Sequence, residues 1–132
     1  MHATQQDRSE PDAGPAAVDR KVLDQYRDID PAGGPGLAMR IVRIYIDSSG
    51  ENWRGIEQAI ARRDAEALRL AAHSLKSSTA SVGALALANQ FRGLEALAKA
   101  ARMDDAGTLF AAMRGEYERV LAALRDILAE AA

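Results

Sequence analysis

An all-α protein, an antiparallel four-helix bundle with a short additional N-terminal helix, is the fold class this sequence predicts. Apolar residues recur at three- and four-residue steps over four long stretches, the period of an amphipathic helix, and no stretch alternates as a strand does. Short connections separate the stretches, which favours antiparallel neighbours. The roughly 115 residues after the N-terminal 16 are enough to bury one core without a disulfide or a metal.

Residues 1–16 mix charges, Pro and Gly with almost nothing apolar, so they read as a disordered tail or linker, and residues 17–132 as the bundle domain. Val18, Val22, Tyr26 and Ile29, with Leu23 beside them, mark one face of a short first helix. Two prolines and three glycines between Asp30 and Gly36 end it. A long second helix is expected from about Leu37 to Ala61, carrying Ile41, Val42, Tyr45, Ile46, Trp53, Ile56 and Ile60; Gly50 is its weak point and the place for a bend. Asp64 is a good N-cap for a third helix that reaches Ser81, and Gly83 supplies the freedom for the next turn. A fourth helix, Ala84 to Ala101, places Leu87, Phe91, Leu94 and Ala98 on one stripe. Asp104 or Asp105 is expected to cap a fifth, whose stripe is Phe110, Met113, Tyr117, Val120, Leu121, Leu124, Ile127 and Leu128. These stripes are read as core.

The formal net charge of -2, with no run of lysine or arginine, argues against a nucleic-acid partner, which would need a basic face. No apolar stretch approaches the ~20 residues that span a bilayer, and the N-terminus lacks the apolar core of a signal peptide, so no membrane partner and a cytoplasmic location are expected. The absence of cysteine fits a reducing compartment without requiring it.

Of the two histidines, His2 lies in the polar tail and His73 lies on the third helix. One imidazole with no cysteine and no second histidine nearby is a poor transition-metal site, which needs three or four converging ligands. At about 100° per residue, Leu68, Ala71, Leu75 and Val82 fall on the side opposite His73, which therefore faces solvent. Glu66, Arg69, Leu70, Lys76, Ser77 and Ala80 lie within about 60° of it on the same wheel. On position alone an exposed histidine is a surface residue; its neighbours shift the balance. Lys76, one turn on, can set an ammonium beside a phosphoryl group on the imidazole, and the small Ser77 and Ala80 leave the ring accessible. An imidazole with an ordinary pKa of about 6.5 is a competent nucleophile near neutral pH.

These residues resemble the histidine phosphotransfer (HPt) family, whose hallmark is His-x-Leu-Lys-Gly followed by a glycine ten residues after the histidine. His73, Leu75, Lys76 and Gly83 match, as do Gly83 to Ala88 and Leu94-Glu95; the glycine usual four residues after the histidine is replaced by Ser77, still a small residue. The resemblance implies a phosphoryl carrier without kinase activity of its own: His73 Nε2 accepts the group from a receiver-domain aspartate of a hybrid sensor kinase and yields it to a response regulator's receiver. It further implies that Glu95, 22 residues after the histidine, holds Nδ1, which would fix the tautomer. Lys99, one turn beyond, would add positive charge. Arg69, Leu70, Ser77, Ala80, Gly83 and Lys99 would take part in receiver docking. Magnesium would belong to the receiver, leaving no cofactor or metal for this chain, which is expected to be monomeric; no Gly-rich phosphate loop is present. A helical adaptor or dimerisation module with an incidental histidine remains the alternative class, and a chemotaxis-kinase phosphotransfer domain shares the bundle but takes its phosphate from an ATP-binding kinase domain.

Overall fold

The computed structural model describes residues 16–131; the expected tail, except for residue 16, lies outside the described residues. Helix α1 (Arg20–Asp24) continues into a single 3-10 turn (Gln25–Asp28), and four long helices follow: α2 (Gly36–Ala61), α3 (Ala65–Ser81), α4 (Leu85–Lys99) and α5 (Met103–Ala131). No strand occurs among the described residues. The long helices pack in a ring, α2 on α3, α3 on α4, α4 on α5 and α5 on α2, the arrangement that short links impose on an antiparallel bundle.

The three links share one chemistry. In each, one residue adopts the left-handed conformation: Arg63 (φ 56°), Gly83 (φ 83°) and Ala101 (φ 56°). The next N–H reaches back over the end of the finished helix, Asp64 to Ala59 at 2.9 Å, Ala84 to Thr79 at 3.2 Å and Arg102 to Leu97 at 2.9 Å. These are Schellman caps, which satisfy terminal carbonyls and turn the chain sharply. Asp64 caps α3 as predicted, its Oδ1 accepting from Ala67 N at 3.0 Å. Asp30 bridges the Pro- and Gly-rich link, accepting from Ala32 N and from Leu37 N, both at 2.9 Å, and so tethers the start of α2. Helix α2 then runs helical through Gly50.

The predicted stripes meet in one core. Val42, Ile56, Leu68, Leu87, Phe91, Leu94, Met113, Val120 and Leu124 are fully buried. Trp53 stacks on Tyr117 with centroids 4.4 Å apart and meets Phe110 at 4.3 Å, filling the seam between α2 and α5. Two buried hydroxyl pairs satisfy their own polar atoms, Tyr45 with Thr79 at 2.9 Å and Ser49 with Tyr117 at 2.8 Å.

Two boundaries differ from expectation. The first helix was expected to present Val18, Val22, Tyr26 and Ile29 on one face. Instead, Val18 is buried ahead of the helix, Leu23 is its buried residue, and Ile29 is 69% exposed. The 3-10 turn at 25–28 breaks the 3.6-residue period and rotates Ile29 away. At the other end, Asp104 and Asp105 do not cap α5 but stand inside its first turn, because the helix already begins at the buried Met103. Acidic side chains there favour the positive end of the helix dipole, and Asp104 also accepts from Arg63 at 2.8 Å.

Candidate functional site

The rotation of α3 about its axis is set by what it buries. Leu68, Ala72, Leu75 and Thr79 point into the core, which turns His73 outward with 58% of its side chain exposed. Leu75, the leucine of the motif, is a core residue at 1% exposure. On α4 the apolar residues Phe91, Leu94 and Ala98 fix the buried face, and Glu95 rides on its edge at the seam with α3.

There Glu95 joins two helices. Its Oε2 lies 2.9 Å from His73 Nδ1, and its Oε1 accepts from Lys76 Nζ at 2.8 Å. Lys99 Nζ is 3.8 Å from Oε2. Only 8% of the Glu95 side chain is exposed, a costly place for an unpaired carboxylate. The Lys76 ammonium, aided by the hydrogen bond from His73, holds the Glu95 carboxyl below its ordinary 4.5, against the opposing effect of burial. An ionised carboxylate only accepts hydrogen bonds, so the proton of a neutral His73 ring resides on Nδ1. That assignment leaves Nε2 with its lone pair, and among the described residues Nε2 has no hydrogen-bond partner.

The expected site residues divide into three groups. His73, Lys76 and Lys99 converge on the Glu95 carboxylate, and Lys76, expected beside the imidazole, is engaged with it. Arg69, Leu70, Ser77 and Ala80 share the outward face of α3: Leu70 is 55% exposed, Ser77 exposed and Ala80 half-buried. Arg69 is tied in bidentate fashion to Glu66, with contacts of 2.9 and 2.6 Å. Gly83 stands apart from both groups. It lies about 15 Å along the helix from His73, buried at the turn, where Asp19 N donates to its carbonyl at 2.8 Å. An added Cβ would stand 2.5 Å from Asp19 O, so the absence of a side chain serves the packing of the N-terminal segment. Sequence reasoning missed the Lys76–Glu95 pair because no periodicity within one helix reports the register between two; the Arg69–Glu66 pair was legible from its three-residue spacing. Among the described residues no group of three His, Cys, Asp or Glu is placed to hold a metal ion, and no helix is long and apolar enough to cross a membrane.

Comparison with known proteins bears on this geometry. A family model described as Hpt domain matches residues 40–126. The chain belongs to the Hpt domain family. The match takes in the site and most of the four long helices that support it, from within α2 to near the end of α5. The crystal structure of histidine-containing phosphotransfer protein B (HptB) from Pseudomonas aeruginosa PAO1 is similar in fold, with a TM-score of 0.77 and 24% identity over 86% of this chain and 96% of that one. No curated protein matches the chain. As an Hpt domain it carries the helical bundle of the family, and histidine phosphotransfer within a phosphorelay is its function in outline.

Proposed function

We propose that the chain is a phosphoryl carrier whose acceptor is His73 Nε2, loaded by a phosphorylated receiver domain of a hybrid sensor kinase and discharged to the receiver of a response regulator. The observation that carries this reading is the held imidazole: Nδ1 is fixed by Glu95 at 2.9 Å while the ring remains largely exposed. In the forward step the Nε2 lone pair forms the N–P bond, and the P–O bond to the receiver aspartate breaks with its electron pair returning to that carboxylate. The ring keeps its Nδ1 proton and so becomes cationic, and the Glu95 carboxylate faces that charge. Lys76 and Lys99 supply positive charge beside the incoming phosphoryl oxygens. The exposed Leu70, flanked by Ser77 and Ala80, offers the apolar contact around which a receiver can close.

The test is phosphotransfer from a panel of phosphorylated receivers to the wild type and to His73→Gln. Acid-labile label is expected on the wild type and none on the variant. Equal labelling of the two would sink the assignment, and retained partner binding without any acid-labile phosphate would mark an adaptor instead.

A further inference from the structure

We propose that the Ser77 hydroxyl donates a hydrogen bond to the phosphoryl group carried on His73, making Ser77 a direct ligand of the transferred group. The inference rests on the reading of His73 as the carrier, and it begins from the position at which this chain departs from the usual glycine.

The cationic groups around His73 already stand beside carboxylates. Lys76 and Lys99 face Glu95, and both of Arg69's contacts go to Glu66. The serines of the bundle are mostly engaged as well: Ser48 donates to Ile44 O at 2.7 Å, Ser78 to Leu75 O at 3.4 Å, Ser81 to Ser77 O at 3.0 Å, and Ser49 pairs with Tyr117 at 2.8 Å. Such back-bonding is the ordinary fate of a helical serine. Among the described residues the Ser74 and Ser77 hydroxyls have no partner. Ser74 projects about 100° around the axis from His73, whereas Ser77 stands about 40° from it, one turn on. At that spacing the two Cβ atoms are about 5–6 Å apart. Helical side chains lean toward the N-terminus, so the Ser77 hydroxyl leans over the turn that bears His73. A phosphoryl group on Nε2 adds strong acceptor oxygens at the exposed end of a ring whose other nitrogen is held down by Glu95. The exposed, uncommitted hydroxyl on that face is a neutral donor for those oxygens, beside the charge of Lys76 and Lys99, and a glycine would have none to offer.

The phosphotransfer equilibrium separates this role from a steric one. A side chain that merely helps or hinders receiver docking changes the forward and reverse rates together and leaves the equilibrium constant unchanged. A bond made only to phosphorylated His73 shifts it. An isolated receiver domain that exchanges phosphate with the wild type is mixed with wild type, Ser77→Ala, Ser77→Gly and Ser77→Thr, and the phosphate is partitioned to equilibrium at pH 7. Ser77→Ala and Ser77→Gly are expected to shift the constant toward the receiver by about five-fold, the net worth of one hydrogen bond, and Ser77→Thr to retain the wild-type value. Circular dichroism confirms that each variant is folded. An unchanged constant in Ser77→Ala, with rates altered equally in both directions, overturns the hydroxyl's role and leaves the carrier reading standing. If no receiver exchanges phosphate with the wild type, the carrier reading fails and this inference fails with it.

Discussion

Glu95 is the residue on which the site depends, because one carboxylate serves two helices. It orients the imidazole through Oε2 and holds Lys76 through Oε1, from a position only 6% exposed. Removing it leaves the Lys76 ammonium, itself only 26% exposed, without a counter-charge. It also lets the ring rotate and lose its fixed tautomer. Glu95→Ala is therefore expected to slow phosphorylation of His73 by about 10–100-fold, by analogy with the loss of a carboxylate that orients a metal-bound histidine. Glu95→Gln keeps one acceptor oxygen and the shape, so it is expected to fall between the two. Initial rates of label uptake from one receiver check the order, and a Glu95→Ala rate equal to wild type would detach Glu95 from the chemistry.

At the scale of the elements, the α3–α4 turn decides how the helix bearing His73 meets the helix bearing Glu95. Gly83 takes φ 83° there, and an added Cβ would collide with backbone, not with a side chain able to move aside. Gly83→Ala is expected to cost about 2 kcal/mol or more, the left-handed penalty of about 1–2 kcal/mol plus the clash. Gly115, within α5 and exposed, has nothing within 4 Å of an added Cβ. There the same substitution should stabilise by about 0.5–1 kcal/mol. Urea denaturation of the two variants measures both signs, and a neutral Gly83→Ala would refute the packing account of this turn. Asp64 and Gly83 also explain why the long helices were legible in the sequence. A cap at one end, a left-handed glycine at the other and an uninterrupted apolar stripe between them bound α3 from local chemistry alone. The start of α5 was less legible, since Met103 is drawn into the core ahead of the two aspartates, and burial there outweighs capping preference. In α1, a 3-10 turn replaced helical continuation, and no residue between 25 and 28 announces it. His73, Lys76 and Ser77 could be set on one face by spacing along a single helix. Their relation to Glu95 depends on the packing of α3 against α4, which the resemblance supplied and periodicity did not.

Across the described bundle the two seams differ in what fills them, although Arg114 lies over the Trp53 ring and pairs with Glu57. The seam between α3 and α4 carries the charged cluster, while the seam between α2 and α5 carries the Trp53, Tyr117 and Phe110 stack. Two buried groups then make stability depend on pH at opposite ends of the range. Glu95, with its folded pKa lowered from 4.5, adds stability that is complete above about pH 4.5 and is lost as the pH falls through the lowered value. Tyr45 works in the opposite direction. Burial pushes its hydroxyl up from 10.0 to about 12, despite the opposing hydrogen bond with Thr79. A raised folded pKa gives stability that is fully present below the unfolded value of 10.0 and is lost as the pH rises through about 12. The unfolded chain ionises first, so the loss accumulates between the two values. Tyr45→Phe removes that alkaline limb while leaving the Thr79 hydroxyl buried without its partner, at a cost of about 1–2 kcal/mol near neutrality. The variant is thus expected to be less stable than wild type at pH 7 and to lose less further stability between pH 10 and 12. Urea midpoints at pH 7, 10 and 11.5 give the comparison, and parallel alkaline losses in the two proteins would show that Tyr45 does not govern the upper limit.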